Sequence, residues 1–318
     1  MRRRDRPGVR KWATCLSPFN KSNSNPGDTI RGGRMKRLVT LSSLAAFAAL
    51  ALSAQAAPAS HTSPETVRAH AGTTNTLAAE QGEFRWHGSV AAGRVVEIKG
   101  VNGRIEANPA SGGEVEVVAV KTARRSNPDD VRIEVVQHGD GVTICAVYPN
   151  VEGQEPNTCA PGRGGHMSTR NNDTSVEFMV RVPAGVRFTG RTVNGGVEAR
   201  DLSGDVDAST VNGSVHVSTN GLARASTVNG SIVALMGRAD WSDGLEFKTV
   251  NGGIDLTFPA GLSAEVEAKT VNGQISTDFP LTVQSTFGRR HLSGTIGGGG
   301  RELRLETVNG SVQIRRAS

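Results

Sequence analysis

Aromatic residues make up only 4% of this 318-residue chain. So few rings offer few platforms for stacking sugars. Cysteine is scarcer still, with three in all, at 15, 145 and 159. Cys145 and Cys159 have no second pair and no histidine at ligand spacing, so a zinc-type site is not expected. The seven histidines, at 61, 70, 87, 138, 166, 216 and 291, show no metal-ligand spacing either. No Gly-x-Ser-x-Gly elbow occurs. Gly297-Gly298-Gly299-Gly300 lacks the Lys-Ser/Thr of a phosphate loop and is expected to be a flexible turn. The residues therefore point to no catalytic group, no metal and no cofactor.

Long hydrophobic runs are missing as well. The longest, Leu38 to Leu52, is short and rich in Ala and Ser, which makes a poor membrane span. It follows Lys36-Arg37 and precedes Ala54-Gln55-Ala56, the layout of a secretory signal with a small-x-small cleavage site. Met35 is thus the expected start. Residues 1–34 are an over-extended, unstructured beginning, 35–56 a signal peptide, and the mature chain opens at Ala57. An uncleaved anchor is the alternative. After cleavage no membrane span is expected, and the chain is read as exported, to the periplasm, cell surface or medium.

Positive charge is also missing where it would matter. The chain carries +6, but residues 1–37 hold eleven Lys/Arg against two Asp/Glu, which leaves −3 on residues 38–318. A nucleic-acid partner is therefore not expected.

What is present is a repeat. Thr-Val-Asn-Gly occurs at Thr192–Gly195, Thr210–Gly213, Thr227–Gly230, Thr249–Gly252, Thr270–Gly273 and Thr307–Gly310, and Val101-Asn102-Gly103 is a copy without the Thr. Two residues after each Gly stands Val or Ile: Ile105, Val197, Val215, Ile232, Ile254, Ile275 and Val312. From Val193 onward the steps are 18, 17, 22, 21 and 37. Leu292-Ser293-Gly294-Thr295-Ile296 imitates the motif and would split the last step. A period near 20 with fixed turn chemistry signals stacked repeats.

Each repeat is strand-like. Apolar residues alternate after the turn, as in Ile254, Leu256 and Phe258, and β-branched residues dominate. Weaker turns fall between the Asn-Gly corners at Leu202-Ser203-Gly204, Asn220-Gly221, Met236-Gly237 and Pro259-Ala260-Gly261. The expected fold is all-β, a parallel β-helix or β-solenoid of about 20-residue coils. A meander of Asn-Gly hairpins is the competing reading. Roughly six coils over 192–318 would stack to about 30 Å.

The expected corner residues are Asn102, Gly103, Asn194, Gly195, Asn212, Gly213, Asn229, Gly230, Asn251, Gly252, Asn272, Gly273, Asn309 and Gly310. Gly would take φ > 0 at a sharp bend. Asn would hydrogen-bond to the Asn above and below, and the Thr hydroxyls would do likewise. The functional alternative makes the Asn row a ligand-binding strip.

Upstream the pattern is less regular. Residues 57–82 are rich in Ala, Thr, Ser and Glu and are expected as a flexible linker. The domain then runs from 83 to 318, with an irregular β part at 83–175 and regular repeats at 176–318. Alternation at Glu114–Val120 and Val131–Val136, then Val142–Ile144 after Gly139-Asp140-Gly141, predicts a β-meander with one hairpin. Asn150–Thr174 is a long polar loop. In an oxidising compartment Cys145 and Cys159 are expected to form a disulfide that closes part of it. Asp201, Asp205 and Asp207 form a small acidic group, either a Ca²⁺ or carboxylate site or a solvated face.

Val-Pro-Ala-Gly, the repeated Thr-Val-Asn-Gly-x-Val/Ile and the terminal Thr-Val-Asn-Gly-Ser-Val-Gln-Ile resemble the bacterial putative-adhesin family, a domain-of-unknown-function group. The resemblance covers about Phe84 to Arg315 and is strongest over 180–318. It implies an exported β-helical protein, with no agreed catalytic residues. The chain departs from the family in its long Cys-containing loop. The function expected is a non-catalytic, adhesin-like protein of the cell envelope. It would bind or scaffold an envelope or surface component, protein or polysaccharide. The alternative is a polysaccharide-active β-helix enzyme.

Overall fold

The computed structural model describes residues 80–286 and 290–318. The expected leader, signal peptide and linker up to residue 79 lie outside the described residues, as does Cys15. Residues 80–82, expected in the linker, open the first strand.

In chain order the strands are β1 (Glu80–Ser89), β2 (Val95–Lys99), β3 (Ile105–Pro109), β4 (Glu114–Ala123), β5 (Arg132–His138), β6 (Gly141–Val147) and β7 (Ser175–Val182). Then come β8 (Arg187–Arg191), β9 (Val197–Leu202), β10 (Val206–Ser209), β11 (Val215–Thr219), β12 (Ala223–Ser226), β13 (Ile232–Met236), β14 (Leu245–Lys248) and β15 (Ile254–Phe258). The last are β16 (Ala264–Lys269), β17 (Ile275–Thr277), β18 (Leu281–Thr286), β19 (His291–Ile296), β20 (Glu302–Glu306) and β21 (Val312–Arg316). A 3₁₀ turn, Pro128–Asp130, lies between β4 and β5.

These strands form two sheets, one of ten strands and one of eleven. A rung consists of one strand from the eleven-stranded sheet, a corner, and one strand from the ten-stranded sheet. Neighbouring rungs pair in parallel, so the protein is a β-solenoid. The Val or Ile after each corner stacks on its counterparts in register: Ile105, Val197, Val215, Ile232, Ile254, Val312 and Ile275. Period-2 alternation sends these residues inward, into one core shared with Phe188, Phe247 and Leu305 of the facing sheet. The weaker turns at 202–204, 220–221, 236–237 and 259–261 lie where the chain passes back between sheets.

Rung order does not follow chain order at either end. The sequence β6/β7, β2/β3, β8/β9, β10/β11, β12/β13, β14/β15, β20/β21, β16/β17 runs along the stack. The C-terminal rung is thus inserted between its two predecessors, pairing with β14/β15 on one side and β16/β17 on the other. Gly273, not Gly310, sits in the outermost Asn-Gly corner. Leu292–Ile296 imitates a corner in sequence only, since it lies inside β19, antiparallel to β16 and β18.

Antiparallel strands finish both ends. β1 and β4 extend the ten-stranded sheet beyond β7. β5 forms the expected hairpin with β6 in the other sheet. The stretch expected as a meander is therefore divided between sheets after β4.

Candidate functional site

The Asn-Gly corners come together as one line. Each Asn Nδ2 donates to the Oδ1 of the Asn in the next rung. The steps are Asn194 to Asn102 (2.8 Å), Asn212 to Asn194 (2.8 Å), Asn229 to Asn212 (2.8 Å), Asn251 to Asn229 (2.7 Å), Asn309 to Asn251 (2.7 Å) and Asn272 to Asn309 (2.8 Å). The ladder has a direction, and Asn102 ends it by donating to the Thr174 carbonyl at 3.4 Å. The Tyr148 hydroxyl donates to the same carbonyl at 2.8 Å. Burial pushes the Tyr148 phenol up to about 12.

The glycines are required for a different reason from the one expected. Of the corner glycines only Gly103 (φ 122°) and Gly195 (φ 154°) have positive φ; Gly213, Gly230 and Gly252 do not. What they need is closeness between rungs. A Cβ on Gly230 would lie 2.0 Å from the Gly213 carbonyl oxygen, and one on Gly252 would lie 2.0 Å from that of Gly230. The Thr hydroxyls do not bond one another either. They turn inward and donate to the glycine carbonyl of the neighbouring rung, as Thr210 does to Gly195 (2.7 Å) and Thr227 to Gly213 (2.8 Å). The motif residues thus divide the corner between them. Thr ties the rung inward, Asn ties it outward, and Gly lets the backbones meet.

Val is left facing solvent. Val193, Val211, Val228 and Val308 are 38–39% exposed and Val271 51%. Exposed methyls therefore run beside the Asn ladder at about 4.8 Å per rung, except at Val101, which is buried, and Val250, which is only partly exposed.

The Cys loop forms a second feature. Cys145, buried in β6, is joined to Cys159 by a disulfide with Cα atoms 5.8 Å apart. This pins the loop onto the outer face of the eleven-stranded sheet. There the Lys99 ammonium donates to the carbonyls of Ala160 (2.5 Å), Gly162 (2.7 Å) and Gly164 (3.1 Å). Desolvation lowers the Lys99 pKa, partly offset by Glu97. Glu97, only 3% exposed, accepts from Thr143 (2.9 Å) and the Gly162 N–H (2.8 Å), and Arg191 lies 3.3 Å away. No sequence pattern marks this cluster, because an alternating Glu-x-Lys in a strand looks like a solvated face. The disulfide closes a 14-residue separation. Its reduction should cost about 3 kcal/mol on the chain-entropy account. Urea unfolding with and without reductant, compared with Cys145→Ser/Cys159→Ser, measures this; identical midpoints would refute it.

The three acidic residues each have a partner within the protein. Asp201 accepts from the Ser218 hydroxyl (2.6 Å), Asp205 accepts from the Leu222 N–H (2.9 Å), and Asp207 pairs with Arg191 (3.7 Å). Among the described residues no three His, Cys, Asp or Glu side chains gather as a metal site. Gly297, Gly299 and Gly300 have positive φ, as a turn requires.

Residues 190–315 match the family described as Toastrack DUF4097. The crystal structure of a putative cell adhesion protein from Clostridium sporogenes ATCC 15579 is similar, with TM-score 0.42 and 9% identity over 75% of this chain and 100% of that one. A putative adhesin from Bacteroides fragilis NCTC 9343 gives TM-score 0.25 and 12% identity over 74% and 97%. At such TM-scores neither likeness bears on function. No curated protein sequence matches the chain.

Proposed function

We propose that this is an exported, non-catalytic β-solenoid protein of the cell envelope that binds or scaffolds an envelope or surface component along its corner strip. One observation carries the reading, the row of exposed Val beside the Asn ladder. Rung pairing alone does not require an apolar residue there, since the Val side chain adds nothing to the ladder. A rigid line of methyls and amides suits an elongated partner that is bound at many points, each weakly.

The test uses the exported protein as bait on envelope extract. N-terminal sequencing of that protein should give Ala57 as its first residue. Val211→Asp/Val228→Asp should abolish capture while leaving the melting temperature within about 2–4 °C, because both positions are exposed. Undiminished capture by this variant would remove the strip from the function.

A further inference from the structure

We propose that the β1/β5 end of the solenoid holds a binding site for the end of a neutral glycan chain, built on Trp86; the proposal rests on the envelope-binding reading above.

At this end the two sheets finish in β1 and β5 with no further strand over them among the described residues. Phe84, Trp86, Val90, Ile133 and Val135 pack against the core yet stay only partly buried. Between the end of β1 and the β5–β6 turn lies a cleft of about 260 Å³, lined by Trp86, His87, Val90, Arg94, Gln137 and His138 among others. That is below the roughly 300–1,000 Å³ of pockets that enclose drug-sized ligands. The cleft therefore admits a chain terminus rather than a chain's length.

The two indoles of the described chain contrast sharply. Trp241 is buried, stacks near Phe258 at 5.8 Å, and donates its Nε1–H to the Glu302 carbonyl at 3.0 Å. Trp86 is partly exposed, and its Nε1–H has no acceptor among the described residues. Being partly exposed, this indole can present its ring and its N–H to a ligand. The ring is also seated by sequence. A Cβ on Gly88 would lie 2.6 Å from Trp86 Cζ2, so only glycine lets the six-membered ring lie over that backbone.

The surrounding side chains select the ligand's chemistry. Gln137 is exposed and its amide is unpaired among the described residues, offering both donor and acceptor. His138 is turned to the Thr143 hydroxyl, which it holds through Nε2 at 3.1 Å. Arg94 already has partners, since Nη1 donates to the Gly139 carbonyl (2.5 Å) and lies 3.4 Å from the Asp140 carboxylate. His87 sits 4.0 Å from Glu114. No uncompensated cation faces the cleft, so an acidic sugar gains little there. A neutral pyranose matches it, because its C–H face suits the indole and its hydroxyls suit the Gln137 amide.

Trp12 lies in the expected leader, so Trp86 and Trp241 are the tryptophans of the expected mature chain. With Trp241 sealed, indole emission reports the cleft. The exported protein would be titrated with chitotriose, cellotriose, maltotriose and trigalacturonate. At least one neutral trisaccharide should shift emission saturably. Trp86→Ala and Gln137→Ala should each weaken that binding at least tenfold, read by calorimetry. Gly88→Ala should weaken it several-fold by displacing the ring, and Trp241→Phe should leave it unchanged. Gln137 is exposed, so its variant tests the site even if Trp86→Ala misfolds. The proposal is overturned if no neutral trisaccharide moves the emission, if only trigalacturonate does, or if Gln137→Ala binds as the parent does. The envelope-binding reading fails separately. A protein that captures nothing from extract but binds a neutral trisaccharide keeps the cleft and loses that reading. Undiminished extract capture by a Gln137→Ala protein whose trisaccharide affinity has dropped tenfold supports both, by separate surfaces.

Discussion

Gly230→Val is expected to destabilise the solenoid by about 3 kcal/mol or more, beyond the usual range for overpacking. The reason is local and backbone-based. A Cβ at this corner would meet the Gly213 carbonyl oxygen at 2.0 Å, and no side-chain rotation can relieve a backbone clash. Relief would require parting two rungs joined by the Gly213 N–H to Asn229 carbonyl bond (2.9 Å) and by the Asn212–Asn229 amide bond. Gly310→Val should cost as much, because Gly310 is interior: its own Cβ would meet the Gly252 oxygen at 1.9 Å and its N–H donates to Asn272. Gly273→Val meets the same kind of clash, 1.9 Å from the Gly310 oxygen, but β17 has a rung on one side only. Its rung can swing outward, so about 1 kcal/mol is expected there. Asn229→Ala, which removes exposed amide bonds, should cost about 1 kcal/mol. Thermal and urea unfolding of the four variants ranks them. Equal loss at Gly230 and Gly273 would show that rungs do not relax independently at the end.

The corner chemistry shows how far the residues speak for themselves. Thr-Val-Asn-Gly announces that a small residue is compulsory after Asn, and the Asn ladder follows from identical residues in identical places. Sequence does not distinguish a glycine needed for its φ from one needed for lack of a Cβ. Gly195 satisfies both conditions and Gly230 only the second. Rung order is hidden for a related reason. All corners are chemically interchangeable, so Asn309 fits against Asn251 or Asn272 equally well, and in the structure it meets both. The 37-residue step between Val271 and Val308 carries a hairpin whose alternation resembles that of any other strand pair. The Glu97–Lys99 cluster depends on Gly162 and Thr143, which lie 65 and 46 residues away from Glu97. No local pattern marks such a meeting.

Removing the C-terminal rung should release far more of the chain than it deletes. A protein ending at Gly300 loses Leu303, Leu305, Val312 and Ile314, all fully buried. Each contributes about 1.5–3 kcal/mol of apolar burial. It also loses the parallel partner of β16 and the sole partner of β17. β14 and β15 lose a neighbour at the same time, and Trp241 loses the Glu302 carbonyl that accepts its N–H. What remains of residues 264–296 is attached to the stack through nothing on its inner side, so it should open as a unit. Nearest-neighbour coupling should leave β8/β9 through β12/β13 largely protected. Amide hydrogen exchange read by mass spectrometry should therefore show protection lost over 264–296 and retained over 192–236. Adding a 301–318 peptide should restore it, because the vacated slot presents pairing edges on both sides. A solenoid stacked in chain order would behave oppositely: trimming its last rung would leave 264–296 as protected as before. That result would overturn the inserted position of β20/β21, and with it the assignment of Gly273 as the terminal corner.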